Sequence, residues 1–276
     1  MMRIVRRTAA ALGVVTGLAL PSAALADGGH GWWWHRPPDL MCQTTSSNPY
    51  FSGTYDNVTV PTGQTCNLSN STVEGGVTVQ GTGTLSLTGT GTVARDLFVG
   101  SQGSAFEGSD WVIHGAAVGD GAGTLTITGT VHGVFARDTG TLGVQSATVD
   151  GDIVSDGGVF GGSITSNVIR GSVVIAGTTG YQGSSGTWFI SGPQLNGSPQ
   201  QIGGSLLLIG NQAAIYNVDN AIGRNLVCLR NTPAPTSEED SVGRRSVGQC
   251  ADVGSGPVAQ PAPSSSPSSP PPGSAS

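Results

Sequence analysis

Gly75-Gly76-Val77-Thr78-Val79 is one copy of a short phrase that returns about once every 20 residues between Asp56 and Arg230. Each copy opens on a small or polar pair and continues with apolar residues. The nine copies are Asp56–Val60, Gly75–Val79, Arg95–Val99, Gly115–Val118, Gly133–Phe135, Gly151–Val154, Gly171–Ile175, Gly204–Leu208 and Arg224–Val227. A unit this short cannot bury its own apolar face, so neighbouring units must bury one another.

The apolar residues of the phrases are expected to form one column inside the protein. One residue from each copy is assigned to this column: Val58, Val77, Leu97, Ala117, Phe135, Ile153, Val173, Leu206 and Leu226. Between the phrases lie further short alternating runs, such as Leu85-Ser86-Leu87 and Leu125-Thr126-Ile127. Each period therefore holds two or three strands broken by glycine.

The repeat predicts an all-β protein, a right-handed parallel β-helix of eight to nine coils with disulfide-tied end caps. A composition of 45 Gly with 10% charged residues fits a turn-rich β protein. A β-sandwich would have no reason to keep a fixed period. A leucine-rich repeat would need a Leu and Asn pattern that is missing here.

The repeat occupies residues 56–230, with four segments around it. Residues 1–26 carry three arginines, an apolar run and the site Ala24-Leu25-Ala26, which predicts a signal peptide for Sec export rather than twin-arginine export. Residues 27–55 form a Trp-rich segment and cap, 231–250 a second cap, and 251–276 a disordered Pro/Ser-rich tail.

Signal removal takes the net charge from -6 to -9. This charge argues against nucleic acid, and no later segment is apolar enough to span a membrane.

Four cysteines in an exported chain favour two disulfides. Of the three pairings, Cys42 with Cys66 and Cys228 with Cys250 is favoured, because each pair brackets one end of the repeat. These bridges would tie the caps over the open ends, where strands are unpaired. We expect a protein that is secreted, either extracellular or loosely associated with the cell wall.

Stacked coils would place equivalent residues side by side, including the residue before each phrase. These residues are Glu74, Ala94, His114, His132, Asp150 and Arg170, and the four from His114 onward would form a polar column along one edge. Asp150, Asp152 and Arg170 are candidates for catalysis on an acidic polysaccharide, and Asp150, Asp152 and Asp156 for a calcium site. The competing interpretation is a solvated ladder in which Asp150 and Arg170 form an ion pair. No cofactor is expected, with calcium as the alternative.

Two groups of aromatic residues are candidates for sugar binding. The one long step of the repeat, from Val173 to Leu206, contains Tyr181, Trp188 and Phe189, which predict a ligand-binding loop. Trp188 and Phe189 could instead belong to that coil's inward strand. The second group is Trp32-Trp33-Trp34, flanked by His30 and His35. It could stack on sugars, bind a metal through its histidines, or pack as a tail on the first coil.

The chain resembles secreted β-helix proteins of actinobacteria in its coil phrases, its Gly223–Pro235 ending and its Val242–Cys250 segment. In architecture it is similar to pectate lyases. The resemblance implies export and a shared fold, and brings no activity with it. We expect a non-enzymatic extracellular or cell-envelope protein, structural or binding cell-wall or environmental polysaccharide. The alternatives are a lyase or hydrolase of acidic glycans and a self-assembling surface protein. Neither the ligand nor the oligomeric state follows from the sequence.

Overall fold

The computed structural model describes residues 37–44, 49–158, 160–179, 186–192 and 199–253. The predicted signal peptide, the Trp32–Trp34 cluster with its histidines, Tyr181 and residues 254–276 of the tail lie outside this part of the chain. Within it, every regular element is a β-strand, and no helix is present that could cross a membrane.

The described residues form 26 strands, most of them two to five residues long. In chain order they are β1 (Leu40–Met41), β2 (Phe51–Tyr55), β3 (Val58–Val60), β4 (Thr65–Val73), β5 (Val77–Val79), β6 (Thr84–Val93), β7 (Leu97–Val99), β8 (Ser104–Glu107), β9 (Asp110–Asp120), β10 (Thr124–Ile127), β11 (Thr130–Arg137), β12 (Thr141–Gln145), β13 (Thr148–Val149), β14 (Ile153–Asp156), β15 (Gly161–Thr165), β16 (Val168–Ile169), β17 (Val173–Ala176), β18 (Thr187–Ser191), β19 (Gln200–Ile202), β20 (Leu206–Ile209), β21 (Ala214–Val218), β22 (Asn220–Ile222), β23 (Leu226–Leu229), β24 (Thr236–Glu238), β25 (Ser241–Val242) and β26 (Ser246–Gly248).

Equivalent strands of successive coils pair in parallel, so the predicted parallel β-solenoid is confirmed. The strands stack into three faces. Face 1 holds the phrases, from β1 through β14, β17 and β20 to β26. Face 2 runs from the first half of β4 through β12, β15 and β18 to β24. Face 3 ends with β13, β16, β19, β22 and β25.

The solenoid has about ten turns rather than the predicted eight to nine. The difference comes from both ends of face 1. Leu40 and Met41 pair with Val58 and Thr59, and β26 pairs with β23 in the same parallel register. Neither segment carries a recognisable phrase; in β26 the positions paired with the buried Leu226 and Cys228 are Ser246 and Gly248.

The predicted inner column of face 1 is confirmed for eight of its nine residues. Val77, Leu97, Ile153 and Val173 are at most 1% exposed. Phe135 is the exception, with 42% of its surface exposed. Its neighbour Val134 takes the inward position, because Val134 pairs with Ala117 and Ile153 while Phe135 pairs with Val118 and Val154. A shift of one residue along a strand reverses the side chain's direction.

Two tryptophans fill the core where the paired residue on the preceding coil is glycine. Trp188 lies beside Gly162 and Trp111 beside Gly91, and both indoles are fully buried. A Cβ atom on Gly91 would lie 2.5 Å from the Trp111 ring. The indole N–H of Trp111 donates to the carbonyl of Thr88 at 3.0 Å. At these two places a large residue on one coil fits against a residue without a side chain on the coil before it.

Buried amide ladders run through the C-terminal half of the solenoid. In one of them, the Gln200 side chain links Asn167 to Asn220, with donor–acceptor distances of 2.9 Å. In the other, Asn211 donates to Asn231 at 2.9 Å and to the carbonyl of Ile175. The same amides also satisfy backbone groups at the corners: Asn167 accepts from the N–H of Ala147, and Asn211 accepts from that of Thr178.

The predicted disulfides Cys42–Cys66 and Cys228–Cys250 are both present, with Cα separations of 5.3 and 5.5 Å. Each lies near one end of the solenoid. On the loop-entropy description each stabilises the fold by roughly 3 kcal/mol. Paired cysteines indicate an oxidising compartment.

Candidate functional site

The proposed acidic cluster lies at the corner between face 3 and face 1. One Asp150 carboxylate oxygen is 2.7 Å from a guanidinium nitrogen of Arg170 on the next coil, and both side chains are exposed. This is the ion pair of the solvated-ladder interpretation. Asp156 is at the opposite end of β14 from Asp152. In the described part of the chain, no group of three His, Cys, Asp or Glu side chains is arranged to hold a metal ion.

Asp152 has a structural partner at this corner. Its Oδ1 atom accepts the backbone N–H of Ser172 on the next coil at 2.7 Å. The same contact recurs along the solenoid: Asp96 accepts from Ala116 at 2.7 Å, and the Ser172 hydroxyl accepts from Ser205 at 3.1 Å. Asp152 is therefore one member of a series of polar side chains that bind the following coil at this corner.

The aromatic residues near the long step are divided between core and surface. Trp188 is buried, and its indole N–H donates to the Thr178 hydroxyl at 3.0 Å. Its ring therefore has no face open to a ligand. Phe189 points outward with 50% of its surface exposed. It stacks on Tyr216 of the next coil, with ring centroids 5.4 Å apart and planes inclined by 13°.

Phe189 and Tyr216 form a stacked, exposed aromatic pair on face 2, which we call the platform, and Tyr216 is itself 44% exposed. The platform is bordered by hydroxyl groups on the coils before and after it. Ser163 pairs with Phe189, and Thr236 pairs with Tyr216. The Gln145 side chain donates to the Ser163 hydroxyl at 2.9 Å. The platform therefore combines an exposed apolar surface with polar groups at its edge.

Tyr216 was not among the residues selected from the sequence. The run Ile215-Tyr216-Asn217-Val218 is recognisable as a strand, but its register against Phe189 depends on how the chain between residues 173 and 206 is accommodated. The parallel pairing of β18 with β21 aligns the two rings. A search for aromatics at alternate positions of successive strands would have indicated the pair.

A long apolar stripe occupies the outside of face 1. It consists of the central outward residue of eight successive coils, each paired with the next: Phe98, Val118, Phe135, Val154, Val174, Leu207, Val227 and Val247. The eight coils are joined by seven steps of about 4.8 Å, and the stripe extends about 10 Å along each strand. It therefore covers about 340 Å². A stable dimer buries about 800 Å² on each partner. The stripe alone is therefore too small to hold two copies together firmly.

Two buried carboxyl groups have perturbed titration. Glu107 is 3% exposed, and burial raises its pKa to about 8, although the N–H of Gly129 donates to it at 3.2 Å. Its other oxygen has no hydrogen-bond partner in the described structure. Burial also raises the pKa of Asp240 to about 6, against the opposing effect of its bonds from Asn220. Both groups point into the solenoid, away from the surface where a ligand could bind.

Comparison with known proteins assigns no family: no family model, curated protein or solved structure matches the chain. A β-solenoid fits several roles, so the fold does not select one. The function has to be inferred from the chemistry of the protein's own surfaces.

Proposed function

We propose that this protein is a secreted, non-enzymatic carbohydrate-binding protein that holds a polysaccharide on the Phe189–Tyr216 platform. The observation that carries the proposal is the stacked, exposed pair of rings on consecutive coils. Exposed aromatics of this size leave apolar surface in water, and the C–H face of a sugar ring is a natural cover for it.

The solenoid backbone supports the platform. Both rings stand on central residues of strands that pair with neighbours on either side, so their positions are set before a ligand arrives. Binding to a preorganised surface loses little conformational entropy. The hydroxyls of Ser163 and Thr236 are placed to exchange hydrogen bonds with the hydroxyl groups of a sugar.

Secretion is part of the proposal. The two disulfides indicate an oxidising environment, and residues 1–26 have the charge and apolar pattern of a signal peptide. The polysaccharide would then belong to the cell wall or to the surroundings of the cell.

The enzymatic alternative has weaker support. Asp150 and Arg170 neutralise each other, and Asp152 holds a corner of the backbone. A lyase or hydrolase acting through these residues would have to break both contacts. Self-assembly on a surface also has weaker support, because the apolar stripe of face 1 is too small to hold two copies together firmly.

The test is binding of the purified protein to a panel of insoluble and soluble polysaccharides. The substitutions Phe189→Ala and Tyr216→Ala should each weaken binding about tenfold, since one ring contributes on the order of 1 kcal/mol or more. Phe106→Ala is the matched control: Phe106 is 44% exposed in the same outward column, but its paired neighbours are Ser86 and Thr126. Equal loss in all three variants would contradict the proposal. Absence of polysaccharide binding, with a mass above the monomer, would favour self-assembly instead.

A further inference from the structure

We propose a second binding site, a groove at the C-terminal end of the solenoid that takes a carboxylate-bearing saccharide. The groove lies where face 3 turns into face 1, and its volume is about 580 Å³. This volume lies within the range of small-molecule pockets. The site is separate from the Phe189–Tyr216 platform on face 2, and binding in the groove does not require the platform.

The groove exists because a column of side chains stops. The position that carries Asp150 and Arg170 on two coils is glycine on the next three, at Gly203, Gly223 and Gly243. The equivalent backbone N–H of each coil donates to the coil before it, which shows that the residues are in register. These bonds join Arg170 to Val149, Gly203 to Ile169, Gly223 to Ile202 and Gly243 to Ile222.

Glycine is required at these three positions by the spacing of the backbone. A Cβ atom on Gly203 would lie 2.6 Å from the carbonyl oxygen of Arg170, and one on Gly223 would lie 2.5 Å from that of Gly203. Such approaches are shorter than a carbon atom tolerates. The groove floor is therefore bare backbone, and beside it lie the side chains of Val168, Gln201, Ala221 and Ser241.

Two arginines directly follow floor glycines of this groove: Arg224 follows Gly223, and Arg244 follows Gly243. Arg170 lines one end of the groove, but its charge is paired with that of Asp150. The N–H of Arg244 donates to the carbonyl of Arg224 at 2.9 Å, so the two arginines occupy the same corner position on adjacent coils. Both are exposed, and within the described ranges neither has a carboxylate at ion-pair distance.

The backbone positions of the two arginines are about 4.8 Å apart, and like charges on adjacent strands repel each other. They do so in a chain whose net charge is -6. A ligand with carboxylates would remove this repulsion and form charge-assisted hydrogen bonds with both guanidinium groups. The apolar groove would receive the rings. From Arg170 to Gly243 the groove spans three coil steps, about 14 Å, which suits a short stretch of a linear acidic glycan.

The experiment measures binding of a polygalacturonate oligosaccharide and of its methyl ester, which has the same rings without the charge. We expect binding of the charged form only, weakened about tenfold or more by Arg224→Gln and by Arg244→Gln. Arg95→Gln is the matched control. Arg95 is exposed at the same corner position of an early coil, between Gly75 and Gly115, and should have no effect.

Three results would overturn the inference: no binding of the charged oligosaccharide, equal binding of the ester, or equal weakening by Arg95→Gln. The last would show a general effect of net charge. Phe189→Ala in the same assay separates this site from the platform. If the arginine variants have no effect while Phe189→Ala weakens binding, the groove inference fails and the proposed function stands.

Discussion

At the scale of the single residue, Glu107 is the most unusual side chain in the solenoid. It occupies an inward column whose other members from Leu68 to Ile190 are aliphatic, and its paired residue on the preceding coil is Leu87. No cation accompanies it among the described residues. The carboxyl group therefore keeps its proton well above the pH at which an exposed glutamate loses it, because the charged form would lie in an apolar interior.

Glu107 makes stability depend on pH in a defined direction. The folded chain holds this proton up to a pKa of about 8, against 4.5 as the ordinary value, so the folded state binds more protons than the unfolded state between these limits. Stability must fall as pH rises through this window. Between pH 6.5 and pH 9 the wild-type protein should lose about 2 kcal/mol of unfolding free energy through this group.

Urea denaturation at the two pH values measures the loss, and Glu107→Gln should remove most of it. Asp240→Asn is the control. The pKa of Asp240 is raised only to about 6, so its contribution changes mainly below pH 6.5 and this variant should keep the wild-type loss. A Glu107→Gln protein with the same decrease as the wild type would show that another group is responsible.

At the scale of the element, each strand is specified by its fit to the equivalent strand of the neighbouring coil. The clearest case is β15 against β18, where Gly162 lies under the buried ring of Trp188. A Cβ atom there would also collide with the carbonyl oxygen of Leu142 on the other side. The two coils approach closely because one of them has no side chain at this point.

Gly162→Ala should therefore destabilise the protein by about 1–3 kcal/mol, the range for overpacking a core. Gly143→Ala is the matched control. Gly143 lies in the adjacent strand β12, and a Cβ atom on it would meet Thr126 at an ordinary 3.5 Å. Unfolding free energies from chemical denaturation compare the two. Equal stability of both variants would mean that β15 is not packed between β12 and β18 as described.

The residues of each face 1 strand that point into the core were largely predictable from the sequence. The inward positions of Val77, Leu97, Ile153 and Val173 were predicted correctly. An apolar residue that follows a small or polar pair at a fixed period can be buried in only one strand register. The prediction failed at Phe135, where Val134 and Phe135 are both apolar and the period does not choose between them. The register shift between Val131 and Gly133 decides the matter, and such shifts have no sequence signal.

The candidate site was harder to predict, because it depends on pairs of residues from different coils. Phe189 was selected, but its partner Tyr216 was not, since their register crosses the long step between residues 173 and 206. Trp188 was selected beside Phe189, yet neighbours in a strand point to opposite sides. Gly203, Gly223 and Gly243 take the position of Asp150 and Arg170 on the following coils. Because these glycines have no side chain, a search for polar residues does not detect them.

At the scale of the whole molecule, the solenoid is a stack in which each coil contacts only its neighbours. Stability then accumulates coil by coil, and the ends are the weakest points because they have one neighbour each. The disulfides Cys42–Cys66 and Cys228–Cys250 lie at these ends. The same regular stacking presents the platform, the apolar stripe and the groove as three separate exterior surfaces.

Distances between spin labels test the stacking most directly. Thr78, Val154, Val174 and Leu207 hold the same outward position on face 1, joined through successive paired strands. From Thr78 to the other three, pulsed electron paramagnetic resonance should give about 19, 24 and 29 Å, one step of about 4.8 Å per coil. The last step should equal the one before it, although it crosses 33 residues of sequence instead of 20. Distances that do not rise in equal steps would contradict the stacked solenoid.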